Sequence, residues 1–367
     1  MGKFVGPDCL IALILLSPPN VKTTELSFDY PPELIAIHPQ HPSRVLHNLS
    51  GHNFELAWTD FLNQFKAGDV LVINDTKVLK RRVFSEDGLE ILFLGSPSDQ
   101  SQMGKEQKND LWTVLFPSKK LKVGDTIQMP LGLSAELMQK GIPQTIRMSE
   151  PVDETYFNKV GELPLPPYIQ KARNERHNRS SENQAYQTVW ADKPGSLAAP
   201  TASLHFSPQD LIQLKTKGVE VITLTLHVGL GTFLPVTAET LEEHVMHEEW
   251  VEIPSHHWKK IKDAKANGQS VWALGTTVVR SLESQALGRF ELRHHSYSGT
   301  TDLMIRPGFE FQIVDRLLTN FHQPQSTLIA LVMAFAGKEN VLKTYQWAIE
   351  KKFRLFSYGD LTYWEKK

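Results

Sequence analysis

From Ser207 onward the chain alternates between helix-like and strand-like stretches of apolar and polar residues. SPQDLIQLKTKG carries a serine cap, a proline at the first helical position and Gly218 as its stop, so it predicts a helix. VEVITLTLHVG follows as an unbroken apolar run, the mark of a buried strand. The alternation continues with a helix from Ser255 to Gly268, a strand in SVWALGT, a helix in TTVVRSLESQAL and a strand in FQIVDRLLTN. STLIALVMAFAG and ENVLKTYQWAIEKK predict two further helices. This is α/β texture.

The first half is patterned differently. Asn53 can cap a helix whose Phe54, Trp58, Phe61, Leu62 and Phe65 fall at helical spacing. GDVLVIND, Gly68 to Asp75, then predicts a buried strand ending on polar residues. Up to about residue 155 the apolar runs are short: GLEILFLG, LWTVLFP, VGDTIQM, LSAELM and QTIRMS, separated by Gly, Pro, Ser and charged turns. Such a series predicts a small antiparallel barrel, with the polar run 96–110 as a long hairpin loop. The chain before residue 75 holds too little core to fold alone. The expected organisation is therefore two domains: a mixed α/β domain from 23–76 and 156–367, interrupted by an inserted antiparallel β-barrel domain at 77–155. Residues 1–22 form an N-terminal extension in this reading. QKARNERHNRSSENQ, after the proline-rich GELPLPPYI, predicts a mobile polar loop.

Composition narrows the class. With 41% hydrophobic and 22% charged residues, the chain is neither disordered throughout, nor collagen-like, nor a disulfide scaffold. A formal charge of −2 gives no overall basic field, so any polyanion must be met by a local patch. Two basic stretches qualify: Lys77, Lys80, Arg81 and Arg82, and Lys171, Arg173, Arg176 and Arg179 between Tyr168 and Tyr186. The same runs also suit an ordinary solvated face, and pattern alone leaves both readings open. Cys9 is the only cysteine, which excludes an intrachain disulfide and a cysteine-based zinc site. It lies in CLIALILL, too short for a bilayer span of about 20 residues. The run has the length of a signal-peptide core, but only Lys3, set against Asp8, precedes it and no A-x-A site follows. A cytoplasmic protein without membrane attachment is expected.

Candidate chemistry gathers in the second half. HVGLGTF places Gly229 and Gly231 directly after a strand, where they allow a tight turn or close approach to a ligand. The third glycine of a dinucleotide fingerprint is missing. No Walker sequence, G-x-S-x-G elbow or H-E-x-x-H occurs. His244 and His247 sit at i and i+3 on an expected helix, a spacing open to zinc, although satisfied histidines use it too, and no metal is expected.

Ten phrases carry the reading further, and they occur in this order: FDYPPELIAIHP, GDVLVINDTKVL, GELPLPPYI, AYQTVWA, GSLAAPTASLHF, TLHVGLGTFLPV, HEEW, GTTVVRSLES, RPGFEFQIVDRLLTNFHQPQSTLIALVMAFAG and FRLFSYGDLTYW. Together they closely resemble the S-adenosylmethionine:tRNA ribosyltransferase-isomerase family of queuosine biosynthesis, from about Phe28 to Trp364. The chain departs from the family at Leu79-Lys80-Arg81-Arg82, where a proline-alanine-arginine step is usual, and at Trp190, where tyrosine is usual.

The resemblance implies an α/β domain interrupted by a β-barrel. It also implies transfer and isomerisation of the ribosyl part of S-adenosylmethionine onto 7-aminomethyl-7-deazaguanine at the tRNA wobble position. The products would be epoxyqueuosine-tRNA, adenine and methionine. S-adenosylmethionine is then a consumed substrate, no cofactor is needed, and the protein is expected to be a monomer. On the family phrases, His227, His205, His322 and Asp75 are the acid and base candidates. Gly229, Gly231, Thr319 and Asn320 would line the ligand; Thr276 and Thr277, with Arg280 and Glu283, would hold the methionine carboxylate and amine. Lys171, Arg173, Arg176 and Arg179, with Lys80, Arg81 and Arg82, are the candidates for RNA contact.

Overall fold

The computed structural model describes residues 20–95, 109–233 and 236–367. Its centre is a ten-stranded mixed sheet. Four parallel strands lie side by side in the middle, in the order Glu220–Leu226, Val70–Asn74, Val271–Leu274 and Arg316–Asn320. VLVIN and VWAL are buried at every position because the sheet is covered on both faces. Alternate residues feed opposite cores: Val70, Val72 and Ala273 join one, Leu71, Ile73 and Trp272 the other. Antiparallel strands Glu249–Pro254, Ser296–Thr301 and Glu291–Arg293 extend one side. Leu361–Glu365, Val45–Leu49 and His52–Leu56 extend the other.

The connections create a crevice. From Val70–Asn74 the next parallel strand lies on one side, at Glu220–Leu226; from Val271–Leu274 it lies on the other, at Arg316–Asn320. Neighbouring strands whose connections diverge leave a gap at their carboxyl ends, the usual ligand position in such sheets. Asn74 and Gly275 flank it. The helices expected after Ser207 form as Pro208–Thr216, Ser255–Ala266, Thr276–Ala286, Thr327–Ala336 and Lys338–Glu350. The first closes a capping box between Ser207 and Asp210.

A second sheet of six antiparallel strands occupies residues 82–152, in the order Arg82–Phe84, Glu90–Gly95, Asn109–Leu115, Gln144–Val152, Ser134–Gln139 and Thr126–Gln128. It corrects the expected barrel, because the sheet curls but stays open. Its two edge strands are three residues each, and the Glu86 N–H donates to the Gln128 carbonyl at 2.9 Å without a ladder between them among the described residues. Phe157, from helix Glu154–Val160, packs on Phe93 and Trp112 and fills the concave side. Strand Thr76–Val78 pairs instead with Lys193–Ser196.

Three other expectations are corrected. Residues 52–56 form a strand, because pairing with Val45–Leu49 overrides helical spacing; only Trp58–Leu62 is helical. The polar stretch after GELPLPPYI is helical at its two ends, in Pro167–Arg173 and Glu182–Ala185, and irregular between them. Residues 241–248, which hold His244 and His247, are not helical, so the zinc spacing loses its basis. Val21 is buried in the main core. Residues 1–19 and 96–108 lie outside the described residues.

Candidate active site

Polar side chains converge at the carboxyl ends of the parallel strands. The ladder between Val70–Asn74 and Glu220–Leu226 ends at the Asn74–Leu224 pair, and Asn74 continues it with its side chain. Its amide Nδ2 donates to the Leu226 carbonyl at 3.0 Å, and Oδ1 accepts the Leu226 and Thr76 N–H groups at 3.1 Å each. The Trp190 indole donates to the Asn74 carbonyl at 2.9 Å. These bonds turn the chain so that Asp75 and Thr76 face the end of the neighbouring strand, where His227 stands. Pattern reading missed Asn74, Thr76, Trp190 and Gly195, although INDT and AYQTVWA contain the signal.

His227 Nδ1 lies 2.8 Å from the Thr76 hydroxyl, while Nε2 has no partner among the described residues. Gly195, at φ +156°, packs against the ring, and a Cβ there would stand 2.6 Å from Nε2. Burial, with Lys193 nearby, pushes the imidazole down to about 4, so it is neutral at neutral pH. Asp75 Oδ1 accepts from the Thr225 hydroxyl at 2.6 Å, and burial raises this carboxyl above its ordinary range. Lys193, whose ammonium lies 3.2 Å from Glu252, influences both groups.

His205 is differently held. The Asn320 amide donates to Nε2 at 3.1 Å, which leaves Nδ1–H to donate to the Ser43 hydroxyl at 2.6 Å. Ser43 passes its own proton to the Gln40 carbonyl at 3.0 Å. Burial pushes His205 down to about 3. Both ring nitrogens are thus committed to partners within the protein. His322 lies between the two cases: Nε2 meets the Thr319 hydroxyl at 2.9 Å, and burial pushes the ring to about 3. Asn320 also accepts from the Thr201 hydroxyl at 3.1 Å, so Thr319 and Asn320 serve chiefly to hold these histidines.

At the crevice, Gly275 turns at φ +98° into helix Thr276–Ala286 without a side-chain cap, leaving its first N–H groups pointing outward. Thr276 is buried there, and the Thr277 hydroxyl lies 3.5 Å from Asn74 Nδ2. Two helix residues do not match the expected clamp. Arg280 forms a buried ion pair with Glu249 and points its other N–H groups at the Leu303 and Thr301 carbonyls. Glu283 is fully buried and accepts the N–H groups of Gln312, Ile313 and Val314 at 2.8 to 3.1 Å. Both side chains are thus engaged by partners within the protein. Gly229 and Gly231 end the His227 strand, but three successive N–H groups there are taken: His227 by the Trp250 carbonyl, Val228 by Ser196 Oγ and Gly229 by Glu249 Oε1.

The basic runs are largely neutralised. Arg82, 2% exposed, is held by Glu162 at 2.5 Å and by Asn178. Arg81 pairs with Glu154 over the Phe157 ring, and the Arg173 side chain, 1% exposed, pairs with Glu182 at 2.5 Å. All three guanidinium groups are held by internal ion pairs. Arg176 and Arg179 are exposed but engaged by Glu90 and Glu175, which leaves Lys77, Lys80 and Lys171 without ion-pair partners among the described residues. No group of three or more metal-ligating side chains occurs among the described residues, and none of the described helices is long and apolar enough to cross a membrane.

The profile of the family described as "Queuosine biosynthesis protein" matches residues 23–363. The chain is 40% identical over 356 residues to the S-adenosylmethionine:tRNA ribosyltransferase-isomerase of Halothermothrix orenii, covering 93% of this chain and 98% of that one. The crystal structure of S-adenosylmethionine tRNA ribosyltransferase from Thermotoga maritima is similar at 29% identity and a TM-score of 0.50, covering 92% of this chain and 99% of that one.

Proposed function

The chain belongs to the queuosine biosynthesis protein family and is a transferase-isomerase; from that premise we propose that it moves and isomerises the ribosyl group of S-adenosylmethionine onto tRNA. The acceptor in this reading is 7-aminomethyl-7-deazaguanine in the wobble position, and the products are epoxyqueuosine-tRNA, adenine and methionine. S-adenosylmethionine is consumed, no cofactor takes part, and the reaction belongs to the cytoplasm, where tRNA is found.

The sulfonium acidifies the neighbouring C5′–H bond, and a base must take that proton. His227 is our choice, because it is neutral at neutral pH and its Nε2 has no partner among the described residues. That free nitrogen is the observation that carries the proposal. Asp75, desolvated beside it, supplies negative charge to the sulfonium and a second proton acceptor for the aminomethyl group. The uncapped start of helix Thr276–Ala286 suits the methionine carboxylate, with the Thr277 hydroxyl beside it. This replaces the clamp expected of Arg280 and Glu283. Lys171 and Lys80 remain for tRNA phosphates.

The test is incubation of the protein with S-adenosylmethionine and tRNA bearing the aminomethyl base, followed by mass spectrometry. Adenine and methionine should appear together with a ribosylated tRNA. Methylated tRNA, or no adenine, would overturn the proposal.

A further inference from the structure

We infer that Glu249 is a positioning residue that fixes the His227 turn to helix Thr276–Ala286 and so sets the spacing between the proton acceptor and the ligand. The inference rests on the proposed function for its kinetic consequence, but its geometry stands alone. Glu249 begins strand Glu249–Pro254, and it lies in HEEW, a phrase to which no role has been given so far. One carboxylate oxygen accepts the Gly229 N–H at 3.1 Å, two residues beyond His227; the other holds the Arg280 guanidinium, one turn into the helix. The carboxylate is 6% exposed, and both of its oxygens are engaged.

This bridge has a direction. Arg280 also donates from Nε to the Leu303 carbonyl and from Nη2 to the Thr301 carbonyl, so the guanidinium is a fixed post and Glu249 is the arm that reaches the turn. Val228 is tied separately through Ser196 Oγ, on the segment that also carries Gly195 against the His227 ring. Without Glu249 the turn keeps its Ser196 contact but loses its link to the helix whose open end faces the crevice. A displacement of this kind lowers the rate of a step that requires alignment more than it lowers affinity.

Three forms of the full-length protein test the inference: wild type, Glu249→Gln and the double variant Glu249→Gln/Arg280→Gln. Glutamine leaves Gly229 only a weaker, uncharged acceptor and turns a donor towards Arg280. The double variant restores a donor–acceptor pair without burying a lone charge. We expect Glu249→Gln to lower the single-turnover rate of adenine release about 10- to 100-fold while KM for S-adenosylmethionine moves by less than about 3-fold. The double variant should regain about 10-fold or more of any larger loss, and it carries the test if the single variant does not fold. Unchanged turnover in folded Glu249→Gln would overturn the inference, as would a KM that rises in step with the lost rate. Amide exchange at Gly229, faster in Glu249→Gln than in wild type, reads the bridge even if wild type releases no adenine. Loss of adenine release in wild type would instead count against the proposed function.

Discussion

His227 and His205 are both buried and both pushed far below the ordinary histidine range, yet they sit in opposite kinds of surroundings. Around His227, one ring nitrogen meets Thr76 and the other is left without a partner among the described residues. Around His205, Ser43 and Asn320 take both nitrogens, and Asn320 is itself tied to the Phe356 carbonyl at 3.0 Å. Burial alone therefore does not mark a reactive histidine. Unspent hydrogen-bonding capacity is a further requirement, which His227 meets and His205 does not, because a proton needs a lone pair that folding has not used.

The difference can be broken at four points. The largest effect is expected at Asp75, on the His227 side. Asp75→Asn keeps an oxygen for the Thr225 hydroxyl but removes the charge, and adenine release should fall about 10²-fold or more with the fold retained. Circular dichroism and single-turnover kinetics on the same sample check both halves of that statement.

Next comes the bridge beneath the His227 turn. Glu249→Gln leaves Arg280 buried beside an amide, so the protein should lose on the order of 3–5 kcal/mol in urea denaturation, and Glu249→Gln/Arg280→Gln should recover part of it. A loss under about 1 kcal/mol would mean that the guanidinium finds water or another partner.

Acid should act on both sides at once. His205, His227 and His322 have folded values near 3, 4 and 3, against about 6.5 when unfolded. The unfolded chain therefore binds protons first as pH falls. Stability from these groups is complete above about pH 6.5 and declines towards pH 4 for His227 and pH 3 for the other two. Between pH 6.5 and 5 the loss is roughly 2 kcal/mol per histidine. Asp75 and Asp360, raised by burial, oppose this trend at the acid end. Calorimetry across this range should show proton uptake on unfolding. Stability that is flat down to pH 5 would contradict the burial assigned to all three.

The smallest effect on turnover is expected at His205. His205→Ala should cost roughly 1–3 kcal/mol of stability by stranding Ser43 and Asn320, but turnover per folded molecule should stay within about 3-fold. A deep loss of turnover without destabilisation would reverse the comparison.

The sequence was informative where local rules govern. The serine cap at Ser207, the stop at Gly218 and the apolar VLVI and VWAL runs all became the elements expected of them. It was uninformative where partners come from far along the chain. Arg82 reads as a free cation until Glu162 is brought to it across 80 positions, and Arg280 as a ligand clamp until Glu249 meets it. His205 sits in a family phrase like His227, but its partner Ser43 lies 162 positions away. Residues 52–56 follow the same rule, since a neighbouring strand decided their conformation. Closure of the six-stranded sheet also depends on edge lengths that apolar runs do not report.

Adenine release by His227→Gln, followed in a single turnover at saturating S-adenosylmethionine and aminomethyl-bearing tRNA, tests the central claim most directly. The account predicts a rate about 10²- to 10⁴-fold below wild type, with melting behaviour and tRNA binding preserved. A His227→Gln protein that releases adenine at the wild-type rate would show that the proton goes elsewhere, and the free Nε2 would lose its meaning.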